Sequence, residues 1–474
     1  MKTLHEYQNV GVDFLVSRLH EKSGAGLWVD PGMGKTAITL HAMDMLRFDG
    51  VRRILLVAPA RVLLSSWPSE IKDWGFDYSC ALLQGSIADR ERILKSDPDI
   101  LCVTSEGCGA AAKKFKAGDE RDPVPNVLDW LEGTKYRANL CVVDESTKFK
   151  NWSSLRSKRL RRILRRVPKC ITLTGTPAPN CLGDVFSQHY LVDRGETLGT
   201  GIGKFRERYM YKGGFKDREW LFNDSKQPEL EEALAPWYLR QAALGNLDLP
   251  KLLVNVIRIE MPPAAKKAYK QMEKEMFAEL DGGTTVLAFT GGARYNLCRQ
   301  ITSGAAYDED HRPISVHTAK LDALESLYDE LHGKQLLVAY CFTHELAAIK
   351  SRWPNAGEVN GKTTDRQFIK TMEDWRANKI TMLAVQCQAM SHGVDGLQKS
   401  NCADICWYSL TDNPEINTQL IARVWRQGNV AEQVRVHYLI APGTVDVAIK
   451  KTLDAKDGRQ GGLLQAISDL RAAA

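Results

Sequence analysis

The stretch LWVDPGMGKT, residues 27–36, sets two glycines, a lysine and a threonine directly after an apolar run. Gly32 and Gly34, on either side of Met33, let backbone N–H groups turn inward around phosphate oxygens with no Cβ in the way. A helix that starts there aims the positive end of its dipole at the same point. Lys35 can then reach β and γ phosphates, and the Thr36 hydroxyl suits a Mg²⁺ ligand. The plain alternative is a glycine turn that happens to precede a lysine. The strand–loop–helix context weighs against it.

Two further clusters could act on such a phosphate. NLCVVDES ends an apolar strand on Asp144 and Glu145, at the strand end where ligands bind in doubly wound sheets. Neighbouring strand residues point to opposite sides, so the two acids cannot do one job. Asp144 suits a Mg²⁺ ion, directly or through water, and Glu145 can orient and deprotonate an attacking water. Alone, such a pair reads as a helix cap or a solvated turn; the phosphate loop upstream reverses that weighting. DNPEINTQLIARVWRQGN (412–429) reads as one helix, capped by Asp412 or Asn413 with Pro414 in its first turn. Ile416, Leu420 and Val424 form an apolar stripe, and Gln419, Arg423 and Arg426 form a polar one at i, i+4, i+7. The arginines could stabilise charge developing on a γ-phosphate, or be an ordinary solvated face.

These clusters need strands to hold them. Short β-branched runs alternate with amphipathic stretches, the pattern of a parallel sheet covered by helices. The runs at 26–30, 53–59, 99–105, 139–145 and 170–175 are nearly continuous hydrophobic segments, as expected of strands buried on both faces. A second set falls at 334–342, 379–386, 403–410 and 434–442. Between them, 195–310 is richer in charge and glycine, with helical pieces such as 262–280. The expectation is two doubly wound α/β lobes with a helical insertion between them. Their bounds are 1–245 and 246–455, with a tail at 456–474. At 474 residues, each lobe can bury a full core. A net charge of +6 permits a nucleic-acid partner without arguing for one. The N-terminal residues lack an apolar signal core, and no run reaches the ~20 apolar residues of a membrane helix. Eleven scattered cysteines without a CxxC pair read as reduced thiols in a cytoplasmic setting.

The order of these motifs resembles the Swi/Snf-type branch of superfamily-two helicase-like ATPases, in its compact phage and bacterial form. LHEYQNVGVDFL (4–15) is similar to that family's glutamine motif, and DPGMGKT to motif I, with Val29 where a stricter phosphate loop has glycine. VAPARVLLSSWPSE (57–70) resembles motif Ia, VTSEG (103–107) motif Ib, and VVDESTKFKN (142–151) a DEAH-box variant. LTGTPAPN (173–180) resembles motif III, VAYCFTHEL motif IV, MSHGVDGLQ (390–398) motif V, and QLIARVWRQGN motif VI. Motif V has the aspartate-bearing form, and Trp425 stands where motif VI commonly has histidine.

The resemblance implies two RecA-like lobes that bind ATP and Mg²⁺. Gln8 would read adenine, Asp395 would lie near the ribose, and Arg423 and Arg426 would reach the γ-phosphate on closure. Thr174–Gly175–Thr176 would couple the γ-phosphate to lobe movement. Arg61, Ser105 and Thr343 would touch phosphates of a nucleic acid without reading sequence. The implied activity is DNA-dependent ATP hydrolysis coupled to translocation on, or remodelling of, duplex or forked DNA. Replication, recombination or repair proteins would be its partners in a bacterial or phage-infected cell. A DNA-gated ATP switch and an RNA helicase remain as alternatives. Two features stay open. RSKRLRRILRR (156–166) is either a solvated basic face or a phosphate-contacting one. Trp67 and Trp74 either stack on bases or, the preferred reading, sit in the core.

Overall fold

The computed structural model of the chain describes residues 2–111, 124–178, 181–213, 219–241, 249–281, 287–308, 310, 312–390, 397, 400–426 and 428–454. The chain divides into two compact units, Met1–Leu247 and Asp248–Ala474.

The first unit runs α1 (Glu6–Glu21), β1 (Gly24–Val29), α2 (Lys35–Arg47), β2 (Ile54–Ala58), a π-helical turn (Val62–Ser66), α3 (Trp67–Trp74), β3 (Cys80–Leu82), α4 (Ile87–Lys95), β4 (Ile100–Thr104) and α5 (Ser105–Gly109). It continues through α6 (Val127–Gly133), β5 (Leu140–Asp144), α7 (Leu155–Leu164), β6 (Lys169–Thr174), α8 (Val185–Asp193), a hairpin of β7 (Met210–Gly213) and β8 (Glu219–Phe222), and β9 (Tyr238–Gln241). Seven strands form one parallel sheet in the order β3-β4-β2-β5-β6-β1-β9. Its central strands have no solvent-facing side, which explains their unbroken Val, Ile and Leu content. Leu55, Val57, Cys141 and Val143 pack under α6 and α7, while their neighbours Ile54, Leu56, Leu140 and Val142 are equally buried on the opposite face.

The second unit carries β10 (Lys251–Arg258), a hairpin of β11 (Ala305–Tyr307) and β12 (Pro313–Ser315), β13 (Leu336–Tyr340), β14 (Gly357–Val359), β15 (Met382–Gln386), β16 (Asp404–Trp407) and β17 (Gln433–Ile440). Six of them form a parallel sheet, β10-β17-β16-β13-β15-β14. Two cores sandwich it. Leu337, Ala339, Leu383, Val385, Ile405 and Trp407 face one, and Leu336, Val338, Tyr340, Met382, Ala384 and Cys406 face the other. Strand side chains thus alternate between two helical layers.

The segment 195–310 is less purely helical than its composition suggests. It holds the helix Pro263–Asp281, but it also supplies β9 to the first sheet and β10 to the second. Both are edge strands, and Val254 and Val256 on β10 are exposed. β9, YLRQ, offers no apolar run to mark it, whereas β10, KLLVNVIR, carries one within the charge-rich segment. No helix among the described residues is long and apolar enough to cross a membrane.

Candidate functional site

The phosphate loop leaves β1 at Val29 and enters α2 at Lys35. Gly32 and Gly34 have φ of 91° and 78°, the left-handed region in which glycine is at ease. Gly34 is also constrained by space, since a Cβ there would stand 2.3 Å from Gln8 Nε2. Gln8 is buried on α1; its Nε2 donates to the Met33 carbonyl at 3.2 Å and its Oε1 accepts the His5 N–H at 3.0 Å. The Tyr7 hydroxyl donates to the same Met33 carbonyl at 3.3 Å. The glutamine therefore fastens the back of the loop. Lys35 Nζ donates to the carbonyls of Val29 at 2.7 Å and Asp30 at 3.3 Å, lying across the loop it would serve.

Sheet order brings the acids to this loop. β6 lies between β1 and β5, and its residues Leu173 and Thr174 pair with Asp144 and Trp28. The carboxyl ends of all three strands therefore stand level. Asp144 is buried. Its Oδ2 accepts the indole N–H of Trp67 at 3.0 Å, and its Oδ1 accepts the N–H of Glu145 at 2.9 Å. Burial first, then the adjacent Glu145, push the Asp144 carboxyl up to about 6; the Trp67 hydrogen bond and the Lys35 ammonium oppose them. The two acids are separated by a different device from the strand alternation the sequence suggests. The strand ends at Asp144, and Glu145 sits in a left-handed turn with φ 52° and ψ 56°. Such a conformation costs a non-glycine residue about 1–3 kcal/mol and persists where its surroundings enforce it.

The loop after β6 closes against the same place. Thr174 Oγ1 accepts the N–H of Thr176 at 3.1 Å, and a Cβ on Gly175 would stand 2.8 Å from Pro31 Cδ. Two residues carry this arrangement in roles that sequence reasoning misses, although it does place Trp67 in the core. One is Trp67, which is buried and serves Asp144. The other is Gln188, buried on α8. Its Oε1 accepts from the Ser146 hydroxyl at 2.8 Å, and its Nε2 donates to the carbonyls of Pro177 at 2.7 Å and Asp184 at 3.0 Å. One amide thus joins the loop after the acids to the loop after β6. The available signal was the polar run Ser187-Gln188-His189 inside a helix buried on all sides.

In the second unit, Gln419 and Arg423 share the helix Pro414–Val424. Asn413 caps it by accepting the Glu415 N–H at 2.9 Å. Gln419 is buried and donates to Glu415 Oε1 at 3.1 Å. The single helix expected over 412–429 stops earlier. Trp425 leaves helical geometry with ψ 81°, its indole donating to the Pro250 carbonyl at 2.7 Å, and Asn429 Nδ2 caps the Val424 carbonyl at 2.9 Å. Arg426 is therefore carried by the turn after the helix, and the polar stripe is a helix pair plus a turn residue. Arg423 and Arg426 are both half-buried. Asp395 lies outside the described residues.

The three residues expected along a nucleic-acid backbone differ in access. Arg61 is half-buried before the π-helical turn, its carbonyl accepting the Ser65 hydroxyl at 2.6 Å. Thr343 is exposed at the start of the helix Thr343–Arg352, 2.5 Å from the Tyr307 hydroxyl. Ser105 is wholly buried, and its hydroxyl has no hydrogen-bond partner among the described residues.

Comparison with known proteins gives this geometry its family. Protein p41 of Acyrthosiphon pisum secondary endosymbiont phage 1 is 28% identical over 471 residues, covering 96% of this chain and 97% of that protein. The ISWI chromatin-remodeling complex ATPase ISW1 of Saccharomyces cerevisiae is 23% identical over 94% of this chain. Chromodomain-helicase-DNA-binding protein 1-like of Mus musculus is 24% identical over 96% of it. This chain spans 39% and 49% of those two proteins. Among solved structures, the Sulfolobus solfataricus SWI2/SNF2 ATPase core in complex with dsDNA aligns at 19% identity and a TM-score of 0.45, over 99% of this chain and 96% of that one. The model of the SNF2-related domain matches residues 7–297. The chain belongs to the SNF2-related family and is an ATP hydrolase of the Swi/Snf-type, superfamily-two branch.

Proposed function

We propose that duplex DNA activates this ATP hydrolase and that hydrolysis drives it along the duplex. The observation that carries the reading is the meeting of Lys35, Asp144 and the Thr174–Thr176 loop at the carboxyl end of one parallel sheet, in a chain of this family. The domains we assign are a first RecA-like lobe at 1–245, a second at 246–455, and a tail at 456–474.

The N–H groups of Gly32, Met33 and Gly34 and the start of α2 hold the phosphates. Lys35 exchanges its loop carbonyls for the β and γ phosphates. Gln8 reads adenine and Asp395 contacts the ribose. The donors fit a magnesium ion: Thr36 and Asp144 offer hard oxygens, and Asp144, titrating at about 6, is ionised at neutral pH. Bound there, the ion would neutralise charge on the phosphates. Trp67 and the Glu145 N–H fix the Asp144 carboxylate, leaving oxygen lone pairs for the ion. Glu145 takes the proton of the attacking water as its oxygen bonds to the γ-phosphorus and the bond to ADP breaks. Arg423 and Arg426, with Gln419 alongside, stabilise the charge of that transition state. Thr174, Gly175 and Thr176 report the γ-phosphate to the rest of the lobe, and Gln188 links that loop to the acids. Arg61 and Thr343 contact the DNA backbone. Ser105 joins them if α5 shifts to release its hydroxyl. A cytoplasmic role in a bacterial or phage-infected cell, beside replication, recombination or repair proteins, fits the phage relative.

Displacement of a third strand from a DNA triplex tests the reading. Displacement that needs ATP and is abolished by Lys35→Ala supports movement. Duplex-stimulated hydrolysis without displacement leaves a DNA-gated switch, and stimulation by RNA alone leaves an RNA helicase.

A further inference from the structure

The basic run after the acids has a location that the reading above does not use. On α7, Leu160, Ile163 and Leu164 are buried, which turns Lys158, Arg161, Arg162 and Arg165 outward at i, i+3, i+4 and i+7. They line a groove of about 740 Å³ together with Trp152 and Tyr190. Two carboxylates enter it, and both are already engaged. Asp129 pairs with Arg159 at 2.9 Å and with Arg162, and Glu132 pairs with Arg162 at 3.4 Å. Lys158, Arg161 and Arg165 have no carboxylate partner among the described residues.

Arg161 distinguishes the groove from a merely solvated face. Its guanidinium lies 3.5 Å from the Trp152 ring centroid, and one terminal nitrogen donates to the Trp152 carbonyl at 3.0 Å. The other terminal nitrogen is buried and has no hydrogen-bond partner among the described residues. A guanidinium already fixed on an aromatic face loses little freedom when it meets an anion. Arg165 adds like charge nearby, an arrangement that an anion relieves. The groove is also fixed in place: Arg159 donates to the carbonyls of Cys108 at 3.1 Å and Ala110 at 3.0 Å, tying α7 to α5.

We propose that this groove binds the phosphate backbone of duplex DNA, as a further contact on the first lobe beside Arg61 and Ser105. Lys158 and Arg165 stand about 10 Å apart along the helix at ~1.5 Å per residue, and one duplex strand carries a phosphate every ~3.4 Å of axis. The face therefore spans roughly three phosphates of one strand. Such contacts add affinity and salt sensitivity, and carry no sequence code.

The proposal rests on the DNA reading above, and its test separates the two. Duplex affinity of the full chain is measured by fluorescence anisotropy over roughly 50–200 mM salt, for the wild type and for the Lys158→Gln/Arg165→Gln double variant. Both side chains are exposed and neither belongs to the ATP site, so the DNA-free ATPase rate stays unchanged and reports an intact fold. The slope of log affinity against log salt should become shallower by about 2, one for each lost phosphate contact. A wild-type protein that binds duplex DNA and is stimulated by it, with a variant of the same slope, overturns the groove assignment alone. A wild-type protein that duplex DNA neither binds nor stimulates overturns the DNA reading and the groove with it.

Discussion

The indole N–H of Trp67 donates to Oδ2 of Asp144 across 3.0 Å, with both side chains buried. The contact follows from strand order. β2 and β5 are neighbours, so the helix that follows β2 stands over the end of β5. A tryptophan 77 residues away thereby sets the orientation of the carboxylate proposed to hold magnesium. Trp67→Phe keeps most of the packing and removes the donor. A hydrogen bond to a charged group is worth ~1.5–3 kcal/mol, so the magnesium concentration for half-maximal ATP hydrolysis should rise about tenfold or more. An unchanged magnesium titration would separate Trp67 from the metal.

Asp144 also sets a pH limb. Its folded value, about 6, lies above that of an unfolded aspartate, ~3.9, because burial and Glu145 disfavour the charged form. Its contribution to stability is therefore fully present below about pH 4 and is lost as the pH rises through about 6. Asp144→Asn, permanently uncharged, should be more stable than the wild type near neutral pH, by on the order of 1–3 kcal/mol in chemical denaturation, and should match it near pH 4. The variant should not hydrolyse ATP. Wild-type hydrolysis should fall on the acid side, at a pH that moves lower as magnesium is raised, because the ion favours the charged carboxylate. A variant less stable than the wild type at neutral pH would contradict the burial argument.

The sequence exposes the parts of this site that are local and leaves out those that depend on sheet order. The phosphate loop, the acid pair and the arginine helix each lie within about 20 residues, and the apolar runs mark the central strands to within a few positions. Trp67 and Gln188 act across 77 and 42 residues, through contacts that exist only once β2, β5 and β6 are side by side. The early end of the arginine helix is of the same kind, because the Pro250 carbonyl that accepts from Trp425 lies 175 residues away. The edge strand β9, YLRQ, escaped because only Tyr238 of it is buried and it carries no apolar run, whereas β10, KLLVNVIR, carries one inside the segment read as the insertion.

Gln188→Leu preserves approximate size and cuts the bridge between the loop after the acids and the loop after β6. It leaves the Ser146 hydroxyl and the Pro177 carbonyl short of a partner, at a cost of ~1–3 kcal/mol. Nucleotide binding should survive within a few-fold, while stimulation of hydrolysis by duplex DNA should fall about tenfold. Equal losses with and without DNA would make Gln188 a purely structural residue.

Gly34→Ala should destabilise the first lobe by ~1–3 kcal/mol, because φ is 78° and the new Cβ meets Gln8 Nε2. Adding Gln8→Ala removes the collision and leaves the backbone strain. Chemical denaturation of the double-mutant cycle should then show partial rescue. Strict additivity would show that Gln8 does not crowd the loop.

The role proposed for Arg423 and Arg426 is to stabilise the charge of the transition state. Single-turnover ATP hydrolysis by Arg426→Ala in saturating duplex DNA, with nucleotide affinity measured alongside, tests this most directly. Affinity should hold within a few-fold while the rate falls about 10³-fold, the lower end of the effect of arginine fingers. A loss of less than tenfold would return the arginine turn to an ordinary solvated surface.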